Sequence, residues 1–155
     1  MIFFKVVSRK TRRSSNFALF VNTIRRRLKN NYPCPTEFSR KEAHSKIIAA
    51  NEFIKKHKDF FPRYTKGSIV KAAKFTDGIF TFQHRYNAEN FIYREIPCEN
   101  RDALMIIRVE GIGMPIIYPK IALGVASHPW TLFDQEWHDA APEGSIGFPS
   151  VEVLE

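Results

Sequence analysis

The apolar residues of this chain switch from helical to strand spacing near Lys66, and that switch limits which elements can share a core. Phe17, Phe20, Val21, Ile24 and Leu28 recur at helical spacing, and Ala43, Ile47, Ala50 and Ile54 repeat the pattern. From Lys66 onward the apolar residues fall instead into short runs bounded by Gly, Pro and Asp, the signature of strands. Ahead of both lies Met1–Val7, an apolar stretch interrupted by Lys5, which reads as a first strand. The expected order is an N-terminal strand, two amphipathic helices and an antiparallel β-meander of about five strands. This is an α+β fold with both helices packed on one face of a curved sheet.

Local signals refine the expectation. Ser14 or Ser15 can cap the first helix, and Ser39 with Glu42 forms a capping box for the second. Lys55, Lys56, His57 and Lys58 suit the negative end of that helix. The linker between the helices is too long for a helix-turn-helix. Strands are expected at Ser68–Phe75 and Ile79–Arg85, joined through a hairpin turn at Thr76-Asp77-Gly78, and a third at Phe91–Ile96. Leu104–Val109 is nearly all apolar, as a central strand should be. After a turn at Gly111-Ile112-Gly113, Met114–Leu123 reads as an edge strand because of Pro115 and Pro119. Residues 127–155 show no clear period and are expected to form an irregular acidic segment. At 155 residues, positions 1–155 make one domain.

Charge is segregated along the chain. Residues 1–120 hold all 24 Lys and Arg against 10 Asp and Glu, a net of +14, while the last 35 residues hold six acids and no Lys or Arg. A basic body of this kind points to an anionic partner. No run approaches the roughly 20 apolar residues of a membrane span. The apolar start precedes its basic residues, the reverse of a secretory signal, so no membrane association is expected and the cytoplasm is the expected compartment. Cys34 and Cys98 make no disulfide framework or metal spacing.

The candidate binding residues are Arg9, Lys10, Arg12 and Arg13 in the loop after the first strand, and Arg25, Arg26 and Lys29 on the polar side of the first helix. Arg27 lies in the same basic run. Neutralising phosphates would release counterions, and Tyr32, Tyr64 and Tyr86 could stack on unpaired bases. The plain alternative is a solvated helix face beside a basic loop. A second constellation is His84, Arg85 and Tyr86 at a strand end, with Lys66 from the expected partner strand. His84 continues the apolar face of Phe80 and Phe82, so it is expected at the rim of the core. A metal-independent ribonuclease needs a base, an acid and a cation, and these residue types supply them. A structural histidine is the competing reading.

Asp134-Gln135-Glu136-Trp137-His138-Asp139 and His128 match no metal motif, so no metal and no cofactor are expected. Gly111-Ile112-Gly113 lacks the rest of a nucleotide loop, and no nucleophile elbow occurs. These observations favour a nucleic-acid-binding protein, RNA ahead of DNA, with ribonuclease activity as an extension. The alternative is a small regulator or inhibitor of the phage or mobile-element type that binds a protein, acidic or otherwise. A capsid-like role fits the basic N-terminal arm but not the helices that follow it. The acidic segment either finishes the core or covers the basic face as a gate.

Overall fold

A computed structural model of the chain describes residues 1–13, 40–74, 76–96, 98–121 and 139–155. The expected first helix, with Arg25, Arg26, Lys29 and Tyr32, lies outside the described residues. So do Ser14, Ser15, Cys34, the Ser39 cap and the segment Asp134–His138.

The described elements are mixed α+β. They comprise β1 (Ile2–Ser8), α1 (Arg40–Lys56), β2 (Ile69–Lys71), β3 (Ile79–Phe82), α2 (Arg85–Glu95), β4 (Leu104–Ile112), β5 (Ile116–Ile117), β6 (Lys120–Ile121), β7 (Asp139–Ala140), β8 (Ser145–Phe148) and β9 (Ser150–Val153). Seven strands form one antiparallel sheet in the order β2-β9-β4-β1-β3-β8-β5, and β6 pairs with β7 separately. β1 is apolar on both faces apart from Lys5 and its last residue Ser8, and it sits in the middle. It pairs with β4 from Ile2↔Glu110 to Ser8↔Leu104, and with β3 at Phe4↔Phe82. No described helix is long and apolar enough to cross a membrane.

The sheet cannot be flat. β8 and β9 are joined by Pro149 alone, so Phe148 and Ser150 lie at most about 7.6 Å apart. Four inter-strand steps separate the same strands in the sheet order, about 19 Å if flat. The sheet therefore curls on itself like a barrel. Its inner face carries Phe3, Val7, Ile79, Ile107, Val109, Phe148, Val151 and Val153, with Val70 and Tyr64 closing the cluster. The Phe148 ring reaches across the interior to Phe3 at 4.7 Å, and it occupies the space a Cβ on Gly111 would need. The outer face of β1, β3 and β4 is covered by α2. There Ala88 and Ile96, with Phe91 and Ile92, pack on Val6, Phe82 and Leu104. Each Val, Leu, Ile or Phe side chain fully buried here contributes about 1.5–3 kcal/mol.

Several expectations are corrected. Phe91–Glu95 is helical and not a strand: Ala88, Phe91 and Ile92 share one helical stripe with the C-cap residue Ile96 packed beside it, which a six-residue window from Phe91 hides. The strand before it stops at Phe82. Thr76-Asp77-Gly78 does not join a hairpin, because β2 pairs with β9 while β3 pairs with β1 and β8. Gly78, at φ +86°, lies against the Phe148 backbone, where its missing Cβ allows close approach. The strands form no meander, since few sequential strands are neighbours. Of the expected strand Met114–Leu123, the described residues, which reach Ile121, form the short β5 and β6, split by Tyr118 at φ 58° and by Pro119, although β5 is at the sheet edge as its prolines suggest. Residues 145–153, expected to be irregular, form β8 and β9, and β9 is internal to the sheet. Of the expected helix pair, α1 is present. The side chains of its stripe (Ala43, Ile47, Ala50, Ile54) lie outside the described residues.

Candidate nucleic-acid interface

β1 leaves the sheet through a tight turn that concentrates cations. Arg12 N–H donates to the Ser8 carbonyl at 2.8 Å, and Ser8 N–H donates to the Arg13 carbonyl at 2.8 Å. The chain then runs beside residues 63–64: Arg13 and Arg63 oppose each other across an isolated antiparallel bridge, and Tyr64 N–H donates to the Arg12 carbonyl at 2.9 Å. The two arginines thus face one another directly, an arrangement that is unfavourable for like charges. Partial burial, and then the Arg63 charge, pull the Arg13 pKa below its ordinary value. Neither guanidinium forms an ion pair with a described residue; the described pairs are Met1–Glu110, Arg85–Glu89 and Arg108–Glu155. Lys10 and Lys66 are exposed on the flanking turns.

The other members of the predicted set behave differently. Arg12 has φ 60°, in the left-handed region, and its guanidinium donates to the carbonyls of Tyr64 at 2.8 Å and Glu155 at 2.6 Å. It braces the turn against the last strand. Arg9 donates to the carbonyls of Asp102 at 3.3 Å and Leu104 at 3.0 Å but remains exposed. Asp102 is itself exposed there, so positive charge is densest at Arg13 and Arg63. Tyr64 is only 3% exposed and cannot stack on a base. Its ring completes the barrel core, and burial pushes its phenol well above the usual range.

The predicted ribonuclease constellation is only partly assembled. His84 is exposed, not at the core rim, because the strand ends two residues earlier and Gln83 N–H turns away to the Gly144 carbonyl at 2.8 Å. His84 and Tyr86 stack with ring centroids 5.4 Å apart and 9° between planes. Arg85 is bound to Glu89 at 3.0 Å. Lys66 precedes β2, which is not the partner of β3. No hydrogen bond, ion pair or ring contact among the described residues joins it to His84, Arg85 or Tyr86.

Sequence reasoning missed two features of this end of the molecule. Arg101, in the 3-10 turn Cys98–Ala103, lies over the Tyr93 ring with its guanidinium carbon 4.6 Å from the centroid. It donates to the carbonyls of Tyr93 at 2.6 Å and Ile96 at 3.2 Å. That turn adjoins the basic loop, since Arg9 N–H donates to the Ala103 carbonyl at 2.8 Å. Reading Tyr93 as a strand residue concealed its place on an outer helix face. The second feature is Lys5, 3% exposed on the barrel side of β1. Its ammonium donates to the Phe80 carbonyl at 2.8 Å and lies 4.9 Å from the Tyr64 ring centroid. Burial pushes its pKa down to about 7.

Among the described residues no group of three or more His, Cys, Asp or Glu side chains could hold a metal ion. Apolar side chains are exposed in one stretch around the edge strand β5, with Met114 at 83% and Tyr118 at 89% beside Ile117. Compared with known protein families, with curated proteins and with solved structures, the chain shows no match.

Proposed function

We propose that this protein binds a nucleic acid, RNA ahead of DNA, through the cationic surface made by the Arg9–Arg13 turn, Arg63 and Lys66. The observation that carries this reading is the Arg13–Arg63 pair. Two guanidinium-bearing residues opposed across a bridge repel each other until an anion lies between or over them, and a phosphate matches the guanidinium fork. Arg25, Arg26, Lys29 and Tyr32 extend the proposal on sequence grounds alone. Binding is better supported than cleavage, because Arg85 is held by Glu89 and Lys66 precedes β2, which does not pair with the strand that leads to His84. His84 is therefore proposed only as the residue to substitute if RNA cleavage is observed.

Fluorescence anisotropy with labelled single-stranded oligonucleotides across a salt series tests the reading. Engagement of Lys10, Arg13, Arg63 and Lys66 with phosphates gives a slope of log affinity on log salt of about −3. The double substitution Arg13→Gln/Arg63→Gln should make that slope shallower by about 1 to 1.5. Affinity that is flat with salt would overturn the proposal.

A protein partner is the second reading, and the exposed apolar stretch at β5 favours it. From Gly111 to Pro119 no residue is charged, and an uncharged edge strand is a ready site for strand addition. A complex that survives high salt and is lost in Ile117→Asp would support this reading over the first.

A further inference from the structure

We infer that the outer face of α2 is a base-stacking platform that restricts the nucleic acid bound by this protein to unpaired segments. The inference rests on the cationic-surface reading and specifies its substrate class. Tyr86 and Tyr93 are 58% and 70% exposed, although an aromatic ring on a helix that packs against a core would ordinarily turn inward. They are seven residues apart, two helical turns, so they share one face about 10.5 Å apart along the axis. Each ring already has a planar group beside it. The His84 imidazole stacks on Tyr86 at 9°, and the Arg101 guanidinium covers Tyr93 while being held by two carbonyls. Bracing of this kind fixes ring orientation before binding and leaves a second face of each ring to extend the stack. An unpaired base offers a π-face that meets this requirement, and a base within a duplex does not. Glu89, between the two rings, is matched by Arg85 at 3.0 Å, which reduces its repulsion of phosphate. The Tyr93 end adjoins the Arg9 turn, so a strand stacked on α2 leads toward the cationic surface.

The test compares a single-stranded oligouridine, the same sequence in a duplex, and inorganic polyphosphate as a base-free polyanion, each against the full chain. The unsubstituted protein should prefer the single strand to the duplex. Tyr86→Leu/Tyr93→Leu should lower affinity for the single strand at least tenfold, in keeping with what stacking of a base on an aromatic ring contributes, and leave polyphosphate binding unchanged. Tyr86→Phe/Tyr93→Phe, which keeps the rings, should retain affinity. Arg13→Gln/Arg63→Gln should weaken the single strand and polyphosphate alike, which separates the platform from the cationic surface. Equal affinity for single strand and duplex, or an unchanged single-strand affinity in the leucine variant, would overturn the platform while leaving the cationic surface standing. Failure of the unsubstituted protein to bind any of the three would overturn both.

Discussion

Lys5 makes the stability of this protein rise with pH, because burial disfavours its charged form. Its ammonium is enclosed between Tyr64 and Phe80, with one carbonyl to receive its protons, and burial lowers its pKa from 10.5 to about 7. In the unfolded chain the amine stays protonated up to its ordinary value. Between about pH 7 and 10.5 the unfolded state therefore binds more protons than the folded one, and stability rises with pH across that window. A shift of this size corresponds to about 5 kcal/mol at most, at ~1.36 kcal/mol per pH unit, against a typical domain stability of about 5–15 kcal/mol. Lys5→Met keeps most of the stem and removes the charge. It also deprives the Phe80 carbonyl of its donor, which costs about 1–3 kcal/mol. The variant should thus be more stable than the parent by about 2–4 kcal/mol at pH 6, and level with it or slightly weaker near pH 10. Urea unfolding at both pH values, with m unchanged, measures the difference. Parallel pH profiles for the two proteins would refute the reasoning, because any group other than Lys5 contributes equally to both.

Other substitutions separate structural from binding roles. Arg12→Ala removes two charge-assisted bonds to carbonyls and should cost about 2–4 kcal/mol in urea unfolding, with no change in the salt slope of oligonucleotide binding. Gly78→Ala combines a φ of +86° with a Cβ 2.6 Å from the Phe148 carbonyl oxygen, so a loss above about 2 kcal/mol and a lower thermal midpoint are expected. Arg108→Ala breaks only the half-exposed pair with Glu155 and should change stability by less than about 1 kcal/mol.

The strands that were legible in the sequence are those whose identity is local. Leu104–Val109 is apolar apart from Arg108 and lies inside the sheet as β4, and Ile2–Val7, apolar apart from Lys5, does the same as β1. Pairing was not legible, because Thr76-Asp77-Gly78 carries a hairpin signature whatever its neighbours do. Only the three-dimensional closure at Pro149 shows that β3 belongs beside β8. The candidate site shows the same division. A run such as Arg9-Lys10-Thr11-Arg12-Arg13 announces positive charge, but the sequence does not say which guanidinium is turned inward. Arg12 is distinguished by a backbone angle and by carbonyls 52 and 143 residues away. Arg63 became a candidate only because the chain returns to pair with Arg13.

The same closure bears on the acidic last 35 residues. A segment that gates a basic surface must leave it, yet residues 145–153 cannot leave without opening the barrel. Val151 and Val153 are fully enclosed, and β9 is bonded to β2 on one side and β4 on the other. Glu155 is tied in as well, through its carbonyl to Arg12 and its carboxylate to Arg108 at 3.2 Å. Glu155 therefore serves the fold, and its bond to Arg12 links that fold directly to the turn that presents Arg13. Any weakening of β9 should consequently reduce anion binding at Arg13 and Arg63 without altering a cation. Val151→Ala should do this: a cavity cost of about 1–3 kcal/mol in unfolding, with weaker oligonucleotide affinity on raising urea below the transition. Affinity that holds constant up to the global unfolding midpoint would show that the turn keeps its shape independently of β9.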